Sequence, residues 1–180
     1  MVKIRYRLFE DMDLLKTATT EEFERELDSF WGFFELRIND EPIGFYHSNE
    51  IEEWETGGEI INLWFRILMD TIKALRCSEV VTMHIVGGIS FLEFRRTGET
   101  LKVKRGVSEK VLKTGPEVKQ KEIKVKAENI LFDNEYIGLA EFEEEVRKKC
   151  GMFIEEVRSL NEELVYARSI QRLIDELESL

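Results

Sequence analysis

Residues 91–104 read Phe91-Leu92-Glu93-Phe94-Arg95-Arg96-Thr97-Gly98-Glu99-Thr100-Leu101-Lys102-Val103-Lys104. Phe91 to Phe94 and Leu101 to Lys104 are strand-like, and Thr97-Gly98-Glu99 supplies the turn between them, so the two pair antiparallel. Upstream, Val80 to Val86 is β-rich and apolar on both faces, the pattern of a central strand, and Gly87-Gly88 turns it into the next segment. The three segments form an antiparallel meander. Before them, Ile60, Ile61, Leu63, Trp64, Ile67, Leu68, Thr71, Ile72 and Leu75 recur at helical spacing. This predicts a helix over 59–75 whose wide apolar stripe lies across a sheet.

Toward the N-terminus, Val2, Ile4, Tyr6 and Leu8 alternate with Lys3, Arg5 and Arg7, a strand with one buried and one wet face. Thr19 and Glu22 form a capping box for a helix over 20–29 that buries Phe23, Leu27 and Phe30. Phe34, Leu36 and Ile38 alternate with charged residues, and Asn39-Asp40-Glu41-Pro42 turns them into Ile43-Gly44-Phe45-Tyr46, a hairpin. Asn49 and Glu52 cap a brief helix through Trp54, ended by Gly57-Gly58. Residues 106–120 read as a long loop, and Ile123, Val125 and Ala127 as the last strand.

At Leu139 the period changes from two to three or four. Leu139, Phe142, Val146, Cys150, Phe153, Val157 and Leu160 make one amphipathic stripe, and Leu164, Ala167, Ile170, Ile174 and Leu177 continue it out of phase. Unbroken, such a helix would be about 60 Å long. A capping box at Ser159-Leu160-Asn161-Glu162 breaks it, giving helices over 138–158 and 161–178. The alternative is one projecting helix that pairs with a second copy. The fold expected is a single α+β domain: an antiparallel sheet of about six or seven strands, a long helix packed on it, and a C-terminal helical pair within 137–180.

The chain has 180 residues, 43% hydrophobic with 12 Phe, 4 Tyr and 3 Trp, too apolar to remain disordered. The densest apolar stretch, Ile60 to Met69, is broken by Asn62 and Arg66 and is half of the ~20 residues a membrane span needs. Met1 to Arg7 shows no secretory signal, and Cys77 and Cys150 form neither a CxxC pair nor a zinc spacing. A reduced, cytoplasmic protein is expected. The formal charge is −11, unevenly spread: residues 1–94 hold 9 basic and 19 acidic side chains, 95–126 hold 11 and 4, and 127–180 hold 6 and 14. The segments carry −10, +7 and −8. The basic strip either follows a phosphate backbone or pairs with acids of the same fold, and the second is the commoner fate of such a strip.

Catalytic motifs are missing. His47 and His84 are the only histidines, with no HExxH, HxH or HxxxH, and His84 within its strand reads as structural. Gly88-Ile89-Ser90-Phe91-Leu92 lacks the final glycine of a nucleophile elbow. An extended strand would hold His84 about 23 Å from Cys77, too far to activate it. No catalytic residue, metal or cofactor is therefore expected. The strongest interface candidate is Glu50, Glu52, Glu53, Trp54 and Glu55, an aromatic anchor ringed by carboxylates. A similar acidic cluster, Glu143, Glu144 and Glu145, follows Phe142.

In order of elements, Phe33-Phe34-Glu35-Leu36, Trp64-Phe65, Phe91-Leu92-Glu93-Phe94 and the closing Phe142-x-x-Glu145-Val146 with Phe153-Ile154-x-x-Val157 resemble the immunity proteins of bacterial polymorphic and contact-dependent toxin systems. The resemblance implies an acidic, cytoplasmic, non-enzymatic α+β protein that occludes a toxin's active site, and it carries no binding residue over. The partner expected is a basic protein such as a nuclease toxin, with no membrane. Two alternatives stand beside it: a nucleic-acid-associated protein using the 95–126 strip, and a homo-oligomer, such as a dimer, formed through the C-terminal helices.

Overall fold

A computed structural model describes residues 1–9, 12–52, 58–85, 89–107, 118–121 and 126–180. In chain order the elements are β1 (Val2–Leu8), α1 (Met12–Thr17), α2 (Thr20–Glu26), β2 (Trp31–Ile38), β3 (Glu41–Phe45), β4 (Glu59–Ile60), α3 (Ile61–Cys77), β5 (Val80–His84), β6 (Ser90–Thr97), β7 (Thr100–Val107), β8 (Val118–Lys119), β9 (Ile130–Gly138), α4 (Leu139–Leu160) and α5 (Arg168–Glu178). A 3-10 turn at Ala127–Asn129 precedes β9, and another at Glu162–Tyr166 separates α4 from α5.

The α+β class with antiparallel pairing holds, but the strands form two sheets rather than one of six or seven. Among the described residues, β1 lies on one edge of β2 while β3 and β4 share the other, and the second sheet runs β8-β5-β6-β7-β9. The division follows from α3. Ile61, Trp64, Phe65, Ile67, Leu68, Met69, Ile72 and Leu75 are all buried, a stripe too broad for one surface to cover. Trp64 stacks on Phe34 of β2 at 4.8 Å, and the same helix also packs on β5. α4 joins the two halves: Phe142 stacks on Phe94 of β6 at 5.4 Å, and Phe153 sits 5.8 Å from Tyr6 of β1. One apolar cluster runs through both sheets and all three long helices.

Locally, sequence and structure agree where short-range chemistry decides. Thr19 accepts from the Glu22 amide and Glu22 returns the bond, so α2 starts as expected, though it ends at Glu26. Asn39 takes the left-handed conformation in the β2–β3 turn. Three expectations need correction. Helix α3 begins at Ile61, because Glu59 and Ile60 pair with Gly32 and Trp31. No helix starts at Asn49 to Glu52, and residues 53–57 lie outside the described residues. The last strand is Ile130–Gly138; of the expected 123–127 strand, 122–125 lie outside the described residues and Ala127 begins a 3-10 turn.

The C-terminal pair forms and folds back, but Ser159 does not cap it: its hydroxyl donates to the Glu155 carbonyl. Asn161 does the work. Its Oδ1 accepts from the Glu163 amide at 3.1 Å, and its Nδ2 donates to the carbonyls of Leu15 and Ala18 at 3.0 and 2.8 Å. The stripe suspected of pairing with a second copy is turned inward, with Val157, Ile170 and Leu173 buried. Asn161→Ala leaves two carbonyls beside α1 unpaired and is expected to lower stability by about 1–3 kcal/mol, read as a lower urea midpoint at unchanged m.

At the α3–α5 contact, burial raises the Asp70 carboxyl above its ordinary range and Glu176 adds to the effect, while Arg66, Lys73 and Arg172 oppose it. An acid with a raised folded pKa carries no penalty at low pH, where both states are protonated; the penalty grows as pH climbs through the ordinary value to the raised one. Asp70→Asn is therefore expected to raise Tm at pH 7–8 and to leave it nearly unchanged at pH 3, compared by thermal melts at the two pH values.

Candidate functional site

Alternation along β2 sends Phe34, Leu36 and Ile38 into the core and Phe33, Glu35 and Arg37 to the opposite face of the N-terminal sheet. That face is built around a carboxylate only 5% exposed. Arg5, opposite Glu35 in register, donates to Glu35 Oε1 through Nε at 3.0 Å and Nη2 at 2.7 Å, and Arg37 Nε follows at 3.4 Å. The same Arg5 guanidinium lies 4.6 Å above the Tyr46 ring. Arg7 Nη1 donates to the Asn49 carbonyl at 2.6 Å. Two arginines of β1 thereby draw the chain after β3 back across the sheet.

Beside this charged patch stand four rings. Phe33 packs on Phe9 at 4.4 Å, on His47 at 4.5 Å and on Phe45 at 5.4 Å. Phe33 is buried beneath them, whereas Phe45 is 58% exposed. Phe45 is opposite Phe34 in register, yet its ring lies with Phe33. Gly44, at φ +88°, supplies the twist, and a Cβ there would collide with the Phe34 carbonyl oxygen. Glu50 and Glu52 are exposed, one and three residues past the Asn49 carbonyl that Arg7 holds. Of the five residues singled out from sequence, Glu50 and Glu52 lie exposed on the segment after β3; Glu53, Trp54 and Glu55 lie outside the described residues. The anchor the structure provides, Phe45 on Phe33, was legible in principle: a phenylalanine on the polar side of an alternating strand needs a cover.

The basic strip meets acids of its own sheet. Lys104 lies 2.8 Å from the buried Glu93, Arg95 lies 3.8 Å from the same carboxylate, and Lys102 pairs with Asp133 at 2.8 Å. Arg96 donates to the carbonyls of Leu75 and Gly98, and Arg105 to that of Pro42. These five of the strip's eleven cations have intramolecular partners. Lys110, Lys113 and Lys124 lie outside the described residues.

Cys150 is buried, and burial, with Glu176 nearby, pushes its thiol up to about 12. His84 is buried within β5, 6.3 Å from the Phe91 ring, in keeping with a structural role. Among the described residues no three His, Cys, Asp or Glu side chains converge as metal ligands, and no helix is long and apolar enough to cross a membrane. Comparison with protein families, curated proteins and solved structures finds no match.

Proposed function

We propose that the chain is a stoichiometric protein-binding module that captures a basic protein through the outer face of its N-terminal sheet, in the manner of an immunity protein blocking a toxin. The observation that carries the reading is the exposed Phe45 ring, seated on Phe33 and His47, with the exposed Glu50 and Glu52 following on the same segment of chain. A large aromatic on a buried bed is how interface anchors are built, because the bed preorganises the ring and little entropy is lost on docking. These carboxylates, in a chain of charge −11, attract a cationic partner from a distance and repel nucleic acid.

A basic nuclease domain suits such a surface: its catalytic cleft is cationic because its substrate is anionic, and an acidic plug competes for the same charges. The test starts from the neighbouring genes: if one encodes a large protein with a basic C-terminal domain, that domain is co-expressed with this chain. The expected result is a one-to-one complex that survives gel filtration near physiological salt and in which the nuclease is silent. A partner domain that stays separate at micromolar concentration overturns the proposal.

A further inference from the structure

We propose a second binding site, for a small phosphate-bearing anion, in the cleft between α3, α5 and the turn after α2. The cleft holds about 320 Å³ and is lined by Asp28, Ser29, Asn62, Arg66, Arg168, Ser169 and Arg172 together with Ile60 and Leu63. Three guanidinium groups on one concavity are unexpected in a chain of net charge −11, and their existing bonds leave most of their donors unused. Arg168 gives its Nε to Glu24 at 2.9 Å and Arg172 its Nε to Glu176 at 2.8 Å, and among the described residues neither commits an Nη group. Arg66 forms no hydrogen bond or ion pair among the described residues and is engaged only by its longer-range attraction to Asp70.

The neutral lining is also donor-rich. Asn62 accepts from the Phe30 amide through Oδ1, which fixes its orientation and leaves the Nδ2 hydrogens available. The Ser169 hydroxyl is shielded from solvent and has no partner, a cost that a ligand oxygen would relieve. Ser169 also lies in the first turn of α5, which has no side-chain cap, so that end adds positive potential. Asp28 is the one carboxylate of the lining and stands against these donors.

The arrangement selects among anions. The lining donors belong to α3, to α5 and to Ser29 of the turn after α2, three separate parts of the chain rather than one. A tetrahedral phosphate presents oxygens in several directions, whereas a carboxylate presents two in one plane. The volume is at the lower end for small-molecule sites, enough for a phosphate monoester and a short organic group. The site shares no residue with the docking face around Phe45 and stands or falls independently of it.

Isothermal titration of the full chain with inorganic phosphate and with glycerol 3-phosphate, at ionic strength held constant with sodium chloride, tests the proposal. Saturable binding with Kd below about 1 mM is expected for at least one probe, together with a rise in Tm. A tighter glycerol 3-phosphate shows that the organic group is read as well; equal affinities show that the site reads the oxyanion alone. Arg66→Met is expected to weaken binding at least tenfold with little change in the ligand-free Tm, since Arg66 gives up only its attraction to the Asp70 carboxylate, and Ser169→Ala to weaken it less. No saturable heat up to 10 mM (about ten times that Kd), or an Arg66→Met chain that binds like the parent, overturns the assignment.

Discussion

Phe153→Ala is expected to lower the free energy of unfolding by about 3–5 kcal/mol. Phe153 is fully buried and is the point at which four elements meet: its ring lies 5.8 Å from Tyr6 of β1, 5.5 Å from Phe30 ahead of β2 and 5.5 Å from Phe65 of α3. Truncation removes the transfer energy of the ring and leaves a cavity walled by other aromatics, which are themselves held by Phe34 and Trp64 and so cannot collapse into it. Domains of this size have about 5–15 kcal/mol in total, so the variant would sit near the edge of folding. Urea denaturation checks it, and Phe153→Leu should recover more than half the loss. A change below about 1 kcal/mol would mean that α4 does not anchor the N-terminal sheet.

Phe45→Ala is expected to weaken partner binding by at least about 2 kcal/mol, some thirtyfold in Kd, chiefly through faster dissociation. Stability should barely change, because the ring is 58% exposed in the free chain. Glu50→Lys with Glu52→Lys should act on the other half of the process, slowing association and flattening its salt dependence. Stopped-flow kinetics at two ionic strengths separates the contributions. Equal effects on both rate constants from both variants would contradict the division between an aromatic anchor and an acidic steering segment.

The elements legible in the sequence are those whose cause is local. Alternation from Val2 to Leu8, the Thr19–Glu22 box, the Asn39-Asp40 turn and the Thr97-Gly98-Glu99 turn each depend on a few neighbouring residues, and each gives the expected element. The break near Asn161 was legible too, although the residue that enforces it acts through the distant carbonyls of Leu15 and Ala18. What a single sequence does not reveal is pairing between segments far apart. β9 pairs with β7 across more than twenty residues, and a bulge at Asn134, φ 147°, disrupts its alternation, so Leu131 and Tyr136 are both exposed and no period-2 pattern survives. Partition into two sheets depends on α3 being buried around most of its girth, which the Ile61-to-Leu75 stripe hinted at without saying what would cover it.

The candidate site was half legible for the same reason. Acidic residues after the hairpin stand out in composition, which is why Glu50 and Glu52 are legible as candidates. Phe33, Phe45 and Arg5 come together only through the register of β1, β2 and β3 and the left-handed Gly44. Pairing with acids of the same fold is the favoured reading of the +7 strip, but which acids is not legible until the register of β6, β7 and β9 puts Lys104 on Glu93 and Lys102 on Asp133.

Hydrogen–deuterium exchange of the chain alone and saturated with its basic partner tests the central claim most directly, since it reports which face the partner covers without altering a residue. The account predicts slowed exchange in peptides spanning 41–52, and unchanged exchange in those spanning 92–105 and 131–136. Protection of 92–105 and 131–136 with 41–52 unaffected would contradict it.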